Sequence, residues 1–388
     1  MRGVHGGLEK TPPGAMRPEL RVAPETLAGY LLSSRLNWLA LLLPVALVLR
    51  VFGAGDVPVF LVSTLAVVPL AALIGHATDE LAKYTGPGLG GFLNASLGNA
   101  AEIVIVLLAL RAGLTEVVKA SITGSILGNL LLVLGLAIFV GGWGREKQTF
   151  NRTAVGASTA MLVLASAALL FPDIYALAVH IGPDSTAPAI LQWSALSATV
   201  MLATYAGSLV FSLRTHRHLL NPVQHEESEP PRIARRDAIM LLVLSTVLTT
   251  IAAETLVGSI ENAAHALGLS ELFIGAVVVA VIGNAAEHFA AVWLARADKM
   301  DLAVNIAISS GAQVALLIAP IAVFASLLLG HPMALVFSEL ELAAIIVAVT
   351  GVRMVAEDGE SNWLEGLQLV SLWLLAAIAF YFMPSPPH

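Results

Sequence analysis

Two long apolar segments of the chain each carry one carboxylate within the same five-residue sequence, and this pair most constrains the fold. Gly-Asn-Ala-Ala-Glu occurs at Gly98–Glu102 and again at Gly283–Glu287. The first copy lies in an apolar run of 22 residues, 89–110, and the second in a run of 24 residues, 272–295. Both runs are long enough to cross a bilayer as a helix. A carboxylate inside such a helix is costly, so we expect each one to face the protein interior and to mark an ion or proton pathway.

The composition agrees with a protein that crosses a membrane many times. The 388 residues are 57% hydrophobic and 12% charged, which is too apolar for a soluble domain of this size. Cysteine is absent from the sequence, which excludes disulfides, thiolate metal sites and cysteine nucleophiles. The sequence has no basic stripe with interleaved aromatic residues, so nucleic acid is not an expected partner.

Apolar windows between charged clusters and Gly or Pro breaks predict an all-α polytopic membrane protein with about eleven transmembrane helices. The predicted helices are 36–53, 57–82, 89–111, 115–140, 153–172, 187–213, 237–257, 270–295, 300–329, 332–354 and 362–382. Several of these windows are longer than a membrane requires, which indicates tilted or kinked helices.

The distribution of basic residues predicts the orientation of these helices. With the N-terminus in the cytoplasm, 17 of the 20 Lys and Arg residues fall in cytoplasmic segments. These are Arg2, Lys10, Arg17, Arg21, Arg35, Lys83, Arg145, Lys147, Arg152, Arg214, Arg217, Arg232, Arg235, Arg236, Arg296, Lys299 and Arg353. The other three are Arg50, Arg111 and Lys119. We therefore expect a multi-pass protein of the cell (inner) membrane, with a cytoplasmic N-terminus and an external C-terminus.

Two polar segments lie outside the predicted helices. Residues 1–35 are rich in Pro, Gly and Arg and lack the apolar core of a secretory signal peptide, so we expect a cytoplasmic tail. Residues 214–236 form the longest predicted cytoplasmic connection. Its potential ion ligands are His216, His218, His225, Glu226, Glu227 and Glu229. Their spacing matches no EF-hand loop, and both a solvated linker and a regulatory ion-sensing segment stay open as interpretations.

The connection at 214–236 separates two groups of five helices, 57–213 and 237–383, which follow the first helix at 36–53. An offset of 185 residues superposes the two pentapeptides and also places Ser125 on Ser310. Five is an odd number, so the second group begins on the opposite side of the membrane and the repeat is inverted. Inverted repeats are typical of secondary transporters, whose binding site lies near the midplane between the repeats. We therefore expect Glu102 and Glu287 to approach each other across a pseudo-two-fold axis.

Further oxygen atoms accompany the two glutamates. Asn99 shares a helix face with Glu102, and Asn284 shares one with Glu287. Gly98 and Gly283 either let the helix unwind and free its carbonyl groups or allow close packing, and both interpretations stay open. The next helix of each half adds hydroxyl and amide groups, which we rank below the glutamates because such side chains often bond to their own backbone. They are Ser121, Thr123, Ser125, Asn129, Ser309, Ser310 and Gln313.

This set of hard oxygen donors suits Ca²⁺ better than Zn²⁺ or Cu²⁺. Mg²⁺ resists dehydration and fits less well, while Mn²⁺ stays open. Two carboxylates neutralise one divalent cation or two protons, whereas an empty, doubly ionised pair is costly in the membrane. These charges favour an obligatory exchange of Ca²⁺ for protons, with Na⁺ as the rival counter-ion. His288 is either a candidate proton relay or a hydrogen-bonded structural histidine.

The sequences Gly98–Glu102 and Gly283–His288 resemble the two repeat signatures of the calcium/proton exchanger (CAX) family, within the calcium/cation antiporter superfamily. The stretches 121–135, 258–261, 268–271 and 361–366 resemble that family too. The resemblance implies a separate first helix followed by two inverted five-helix bundles, with Glu102 and Glu287 as the ion-binding glutamates. It also implies that a set of polar residues lines the same cavity. These are Asn99, Asn284, Ser125, Ser310 and Gln313.

The expected function is that of a secondary active transporter, not an enzyme, which expels cytoplasmic Ca²⁺ in exchange for external protons. Ca²⁺ and H⁺ are then transported ions, no cofactor is expected, and the lipid bilayer is the surrounding partner. The histidine after the second pentapeptide favours proton coupling by the same resemblance. Na⁺-coupled exchange is the alternative within this class, and a divalent-cation channel is an alternative that the inverted repeat disfavours. The sequence leaves the oligomeric state open.

Overall fold

The computed structural model describes residues 26–32, 34–180, 187–215 and 230–383, with the backbone alone at residues 86–88. Most of the predicted N-terminal tail lies outside these residues. The histidine and glutamate cluster of the predicted 214–236 connection also lies outside them. Within the described residues the chain is helical apart from short connections and one two-stranded ladder.

The helices follow one another through almost the whole described chain. They are α1 (Leu27–Leu32), α2 (Leu42–Val51), α3 (Asp56–Leu97), α4 (Ala100–Arg111), α5 (Thr115–Leu127), α6 (Leu134–Gly142), α7 (Arg152–Ala178), α8 (Pro188–Val210), α9 (Arg235–Leu267), α10 (Glu271–Phe273), α11 (Ala280–Gly283), α12 (Ala285–Arg296), α13 (Met300–Gln313), α14 (Ala319–Leu329), α15 (Glu339–Ala356) and α16 (Trp363–Phe382). Four π-helical turns interrupt or extend them, at Gly128–Val133, Phe211–Thr215, Ile274–Val279 and Val314–Ile318. Strands β1 (Gln148–Thr149) and β2 (Glu360–Ser361) pair antiparallel.

Eight helical segments of the described chain are long and apolar enough to cross a membrane, or nine if one bent pair counts as a single span. This supports a multi-span helical membrane protein. The nine correspond to nine of the eleven predicted helices. The helix predicted at 36–53 is divided into a 3-10 turn at Arg35–Leu41 and the short helix α2, and the one predicted at 332–354 is the shorter helix α15.

Two predicted boundaries differ most from the structure. The continuous helical assignment of α3 contains the end of one apolar span, Asp56–Thr85, and the start of the next, Leu89–Arg111, close to the predicted bounds. The seventh predicted helix, however, does not end at residue 257, because α9 continues to Leu267. The tenth predicted helix begins at Glu339, not at residue 332.

The non-helical backbone at residues 331–338 is stabilised by polar side chains from other helices. The amide of Met333 donates to Ser326 Oγ at 2.9 Å. The amide of Leu335 donates to Ser194 Oγ at 2.9 Å. Finally, Phe337 N donates to Asp173 Oδ1 at 2.7 Å. Because these partners satisfy buried backbone groups, the segment does not need helical hydrogen bonds, which explains the late start of α15.

The apolar core surrounds α5 and the π-helical turn that follows it. Every residue from Val117 to Leu131 is buried. The backbone of α5 touches that of the turn Ile274–Val279, because a Cβ atom on Gly124 would lie 2.0 Å from the carbonyl oxygen of Ala276. Small residues at helix contacts allow such close approach in membrane proteins. The contact fixes α5, which carries Ser125, against the segment that leads into Gly283.

Candidate ion-binding site

Each pentapeptide interrupts its helix at the asparagine. Asn99 separates α3 from α4, and Asn284 separates α11 from α12, where the axis bends by 60°. Glu102 and Glu287 then lie in the first turn of the following helix. The partial positive charge of a helix N-terminus stabilises a carboxylate in this position. Neither asparagine side chain caps its own helix, so both amides are available for contacts elsewhere.

Glu102 is enclosed by polar partners from both halves of the chain. The residue as a whole is 8% exposed. Glu102 Oε1 accepts hydrogen bonds from Ser125 Oγ at 3.1 Å and from Asn284 Nδ2 at 2.5 Å. The same Asn284 amide group lies 3.0 Å from Ser125 Oγ. A Cβ atom on Gly283 would lie 3.3 Å from Glu102 Cγ, so the glycine leaves room for this carboxylate. The second pentapeptide therefore contacts the glutamate of the first.

Glu287 has the equivalent serine partner but a more open position. Ser310 Oγ donates to Glu287 Oε2, as Ser125 donates to Glu102 in the other half. Each serine follows its glutamate by 23 residues. Glu287 is half-buried and lines a cavity of about 660 Å³. Asn305, Ser309 and Gln313 line the same cavity, as does Gly98 from the first pentapeptide.

Asn129 joins the two halves and is fully buried, with 0% exposure. Its Nδ2 donates to Ser310 Oγ at 3.0 Å and approaches Asn284 Oδ1 at 3.4 Å. The hydrogen-bonded chain thus runs from Glu102 through Asn284 and Asn129 to Ser310 and Glu287. Asn129 was only one of several second-rank candidates in the sequence. Its repeat-equivalent position holds Val314, so the repeat gives no signal for it.

The structure brings all nine predicted site residues to this region, although their contacts differ between halves. Asn99 Nδ2 donates to Gln313 Oε1 at 2.6 Å rather than to a glutamate. Thr123 points away from the network and donates to Glu341 Oε1 at 3.0 Å. Ser309 Oγ bonds to the carbonyl group of Asn305 at 2.5 Å, as expected for a hydroxyl in a membrane helix.

Three buried polar atoms at the site have no hydrogen-bond partner in the described part of the chain. They are Oδ1 of Asn99, Oδ1 of Asn129 and Nε2 of His288. Buried polar atoms normally have a partner, so each of the three needs an explanation. The two amide oxygens are of the type that coordinates hard cations. His288 follows Glu287 directly and lies beside Gly128, whose Cβ position would be 3.9 Å from His288 Cε1.

Sequence comparison relates the chain to ion exchangers. The pattern of the family described as sodium/calcium exchanger protein matches residues 56–214 and 238–382. A Ca²⁺/H⁺ antiporter of Synechocystis is 40% identical over 359 residues, which cover 88% of this chain and 95% of the antiporter. The Ca²⁺/H⁺ antiporter ChaA of Bacillus subtilis is 39% identical over 328 residues, 84% of this chain and 92% of its own length.

Solved structures give the same relationship. The structure of native YfkE superposes with a TM-score of 0.77 at 34% identity and covers 89% of this chain and 98% of YfkE. The crystal structure of the H⁺/Ca²⁺ exchanger CAX superposes with a TM-score of 0.65 at 15% identity, which shows a shared fold over 89% of this chain and 91% of that protein. The resemblance of the two pentapeptides to calcium/proton exchangers is thus confirmed, and the chain belongs to the sodium/calcium exchanger protein family.

Proposed function

We propose that this protein exchanges cytoplasmic Ca²⁺ for external protons by alternating access around Glu102 and Glu287. One observation carries the proposal: an uninterrupted hydrogen-bonded chain joins two carboxylates that lie at equivalent helix breaks in two halves of the sequence. The names of the relatives support Ca²⁺ and H⁺ as the transported ions.

The donor atoms around the two glutamates suit Ca²⁺. Beside the two carboxylates, Oδ1 of Asn99 and Oδ1 of Asn129 are buried acceptors without a hydrogen-bond partner in the described chain. Ca²⁺ accepts six to eight oxygen ligands in flexible geometry, and carboxylate and amide oxygens are its usual ligands in proteins. A cation between the halves would therefore satisfy amide oxygens that lack a partner.

Charge balance explains why Ca²⁺ and protons would be exchanged for each other. One Ca²⁺ or two protons neutralise the pair of carboxylates, and either state can be enclosed in the low-dielectric interior. An empty pair carries two like charges that repel each other and lose hydration when the site closes. The empty site therefore resists the change of access, and each Ca²⁺ that leaves must be replaced by protons.

The cavity beside Glu287 supports access from the cytoplasm in the present conformation. Its walls include Ser158 near the start of α7, the end of α8 from Thr204, and the π-helical turn after α8 as far as Leu213. The orientation predicted from the basic residues puts both of these regions on the cytoplasmic side. Alternating access then requires a second conformation in which Glu102 and its neighbours open towards the outside.

The duplicated architecture also supports this mechanism. The family pattern matches two segments, 56–214 and 238–382, which lie within a few residues of the proposed repeats 57–213 and 237–383. A π-helical turn follows the serine-bearing helix in each half, at Gly128–Val133 and at Val314–Ile318. We propose eleven spans, with the first helix followed by two five-helix repeats of inverted topology and the binding site at the midplane.

Na⁺-coupled exchange is the second candidate, because the description of the matching family names sodium. A transport assay separates the two. The purified protein is reconstituted into vesicles and Ca²⁺ uptake is followed under an imposed pH gradient, then under an imposed Na⁺ gradient at constant pH. We expect the pH gradient to drive uptake and the Na⁺ gradient to have no effect. Uptake that follows Na⁺ and ignores pH would contradict proton coupling. Uptake that persists without either gradient, and is driven by voltage alone, would indicate a channel.

A further inference from the structure

A second cavity lies outside the ion-binding site, between the start of α7 and the end of α15. Its volume is about 530 Å³. The α7 side contributes Arg152, Gly156, Thr159, Ala160 and Val163. The α15 side contributes Arg353 and Ala356, followed by Glu357 just after the helix. None of these side chains takes part in the network around Glu102 and Glu287.

The two arginines of this cavity are exposed and lack an anionic partner. Neither the Arg152 side chain nor the Arg353 side chain forms a hydrogen bond or ion pair within the described part of the chain, unlike neighbouring basic side chains. Nearby, Arg145 pairs with Asp298 at 2.7 Å, and Lys147 pairs with Glu360 at 2.8 Å. The guanidinium group is planar and carries several N–H donors, so two of them at one cavity suit a phosphate group.

Below the arginine of α7 the cavity becomes apolar. Arg152, Gly156, Ala160 and Val163 follow one another at helical spacing and share one face of α7. Val163 lies about 16 Å further along the helix than Arg152, from a rise of about 1.5 Å per residue. Its side chain is 44% exposed. A Cβ atom on Gly156 would meet nothing within 4 Å, so the glycine leaves the groove open.

A polar end with two guanidinium groups and an apolar groove behind it match a molecule with a phosphate head and hydrocarbon chains. With Glu357 included, the lining carries a net charge of +1, which complements a single negative charge. The predicted orientation puts both arginines at the cytoplasmic membrane surface, where basic pockets between helices bind anionic headgroups. We propose that this cavity binds an anionic phospholipid, with its phosphate between Arg152 and Arg353 and an acyl chain along Gly156, Ala160 and Val163.

Native mass spectrometry of the purified full-length protein in detergent tests the proposal. The protein is titrated with phosphatidylglycerol and with phosphatidylcholine that carries the same acyl chains. We expect the wild-type protein to prefer phosphatidylglycerol by at least about tenfold. Arg152→Gln and Arg353→Gln should each weaken its binding about fivefold, the effect of one basic side chain near an anionic membrane lipid. The double variant should bind both lipids equally.

Matched variants separate this site from general attraction to basic residues. Arg236→Gln removes an exposed arginine outside the cavity and should leave the preference unchanged. Gly156→Leu keeps both charges but fills the groove, and it should weaken the binding of both lipids. Gly75→Leu, another helical position with open space, should not. Equal binding of the two lipids by the wild type, or equal losses for Arg236→Gln and Arg152→Gln, would overturn the proposal.

Soluble glycerol 3-phosphate distinguishes a lipid from a free phosphate compound. It offers a phosphate group of higher charge to both guanidinium groups but has no acyl chain for the groove of α7. We expect millimolar glycerol 3-phosphate to leave bound phosphatidylglycerol in place. Displacement at concentrations similar to those of the lipid, together with an unaffected Gly156→Leu variant, would show that the site takes a soluble anion and would contradict the lipid assignment.

Discussion

The two glutamates occupy equivalent positions in sequence but different environments in the structure. Glu102 is buried and accepts hydrogen bonds from Ser125 and from Asn284 of the other half. Glu287 accepts one from Ser310 and lines a large cavity. Because both residues have the same helix break before them and the same serine after them, the difference arises from how the halves are packed together. The proposed alternating access requires such a difference, because the site must open to one side at a time.

The asparagines show the same inequality. Asn284 reaches across to Glu102, whereas Asn99 bonds to Gln313 and leaves its own oxygen without a partner in the described chain. A molecule with fully equivalent halves would have Asn99 on Glu287. In the proposed cycle, the second conformation would exchange the contacts of the two asparagines. The following predictions test whether the different contacts of the two halves depend on the conformation or on the side chains of each half.

The largest expected effect comes from neutralising either glutamate. Glu102→Gln and Glu287→Gln should each reduce Ca²⁺ exchange by at least about 100-fold, because one remaining carboxylate leaves a buried divalent charge uncompensated. The measurement is Ca²⁺ flux in vesicles under a pH gradient. Glu339→Gln, an exposed carboxylate at the start of α15, is the control and should retain full activity.

Equal losses in the two variants would mean that the glutamates act as one unit and that their unequal burial is conformational. If one variant kept substantial exchange, the two halves would differ in chemistry, and the two-carboxylate mechanism would be wrong. Retention of the folded state is checked by size-exclusion chromatography and thermal unfolding of each purified variant.

The asparagines should give a smaller and unequal effect. Asn284→Ala removes hydrogen bonds to the Glu102 carboxylate and to Ser125, and a hydrogen bond to a charged group contributes about 1.5–3 kcal/mol. We expect the apparent Ca²⁺ affinity to fall about tenfold or more. Asn99→Ala removes one bond between neutral amides, which costs about 1 kcal/mol or about fivefold, together with the Oδ1 atom proposed as a Ca²⁺ ligand, so its loss should exceed fivefold but stay below that of Asn284→Ala.

The Ca²⁺ dependence of initial uptake rates measures both asparagine variants. A loss for Asn99→Ala as large as that for Asn284→Ala would indicate that Asn99 contacts a glutamate in another conformation. That result would mean that the different contacts of the two asparagines belong to one conformation only. The isosteric variants Asn99→Asp and Asn284→Asp are unsuitable controls because each adds a charge to the pair of glutamates.

The sequence predicted which side chains of the candidate site lie together, because the pentapeptide and the serine after it are duplicated. The offset that aligns the pentapeptides also aligns Ser125 with Ser310, and both serines contact the glutamate of their own half. Asn129 could not be singled out in this way, because apolar Val314 occupies the equivalent position. Its contacts depend on the packing of α5 against the other half, which no local pattern encodes.

The start of α15 was predicted wrongly for a similar reason. The late start of α15 depends on Asp173, Ser194 and Ser326, which lie on three other helices and satisfy the backbone of residues 331–338. A window of apolar residues in the sequence cannot distinguish such a segment from a helix. The interruption at Asn99 was anticipated only as one of two interpretations of Gly98, because glycine serves equally well in close packing.

The last prediction measures access instead of transport, as a difference in labelling rate between the surroundings of the two glutamates. The chain has no cysteine, so a single introduced cysteine is a unique label. Ser309 lines the cavity beside Glu287, whereas Ser125 is 4% exposed beside Glu102. A membrane-impermeant maleimide applied from the cytoplasmic side should modify Ser309→Cys at least about tenfold faster than Ser125→Cys, because thiol reactivity requires access to the reagent. Both variants should react equally after denaturation in SDS.

Equal rates in the folded protein would mean that the difference in exposure between Glu102 and Glu287 does not persist in the membrane. Faster reaction of Ser309→Cys from the external side would instead reverse the orientation inferred from the basic residues.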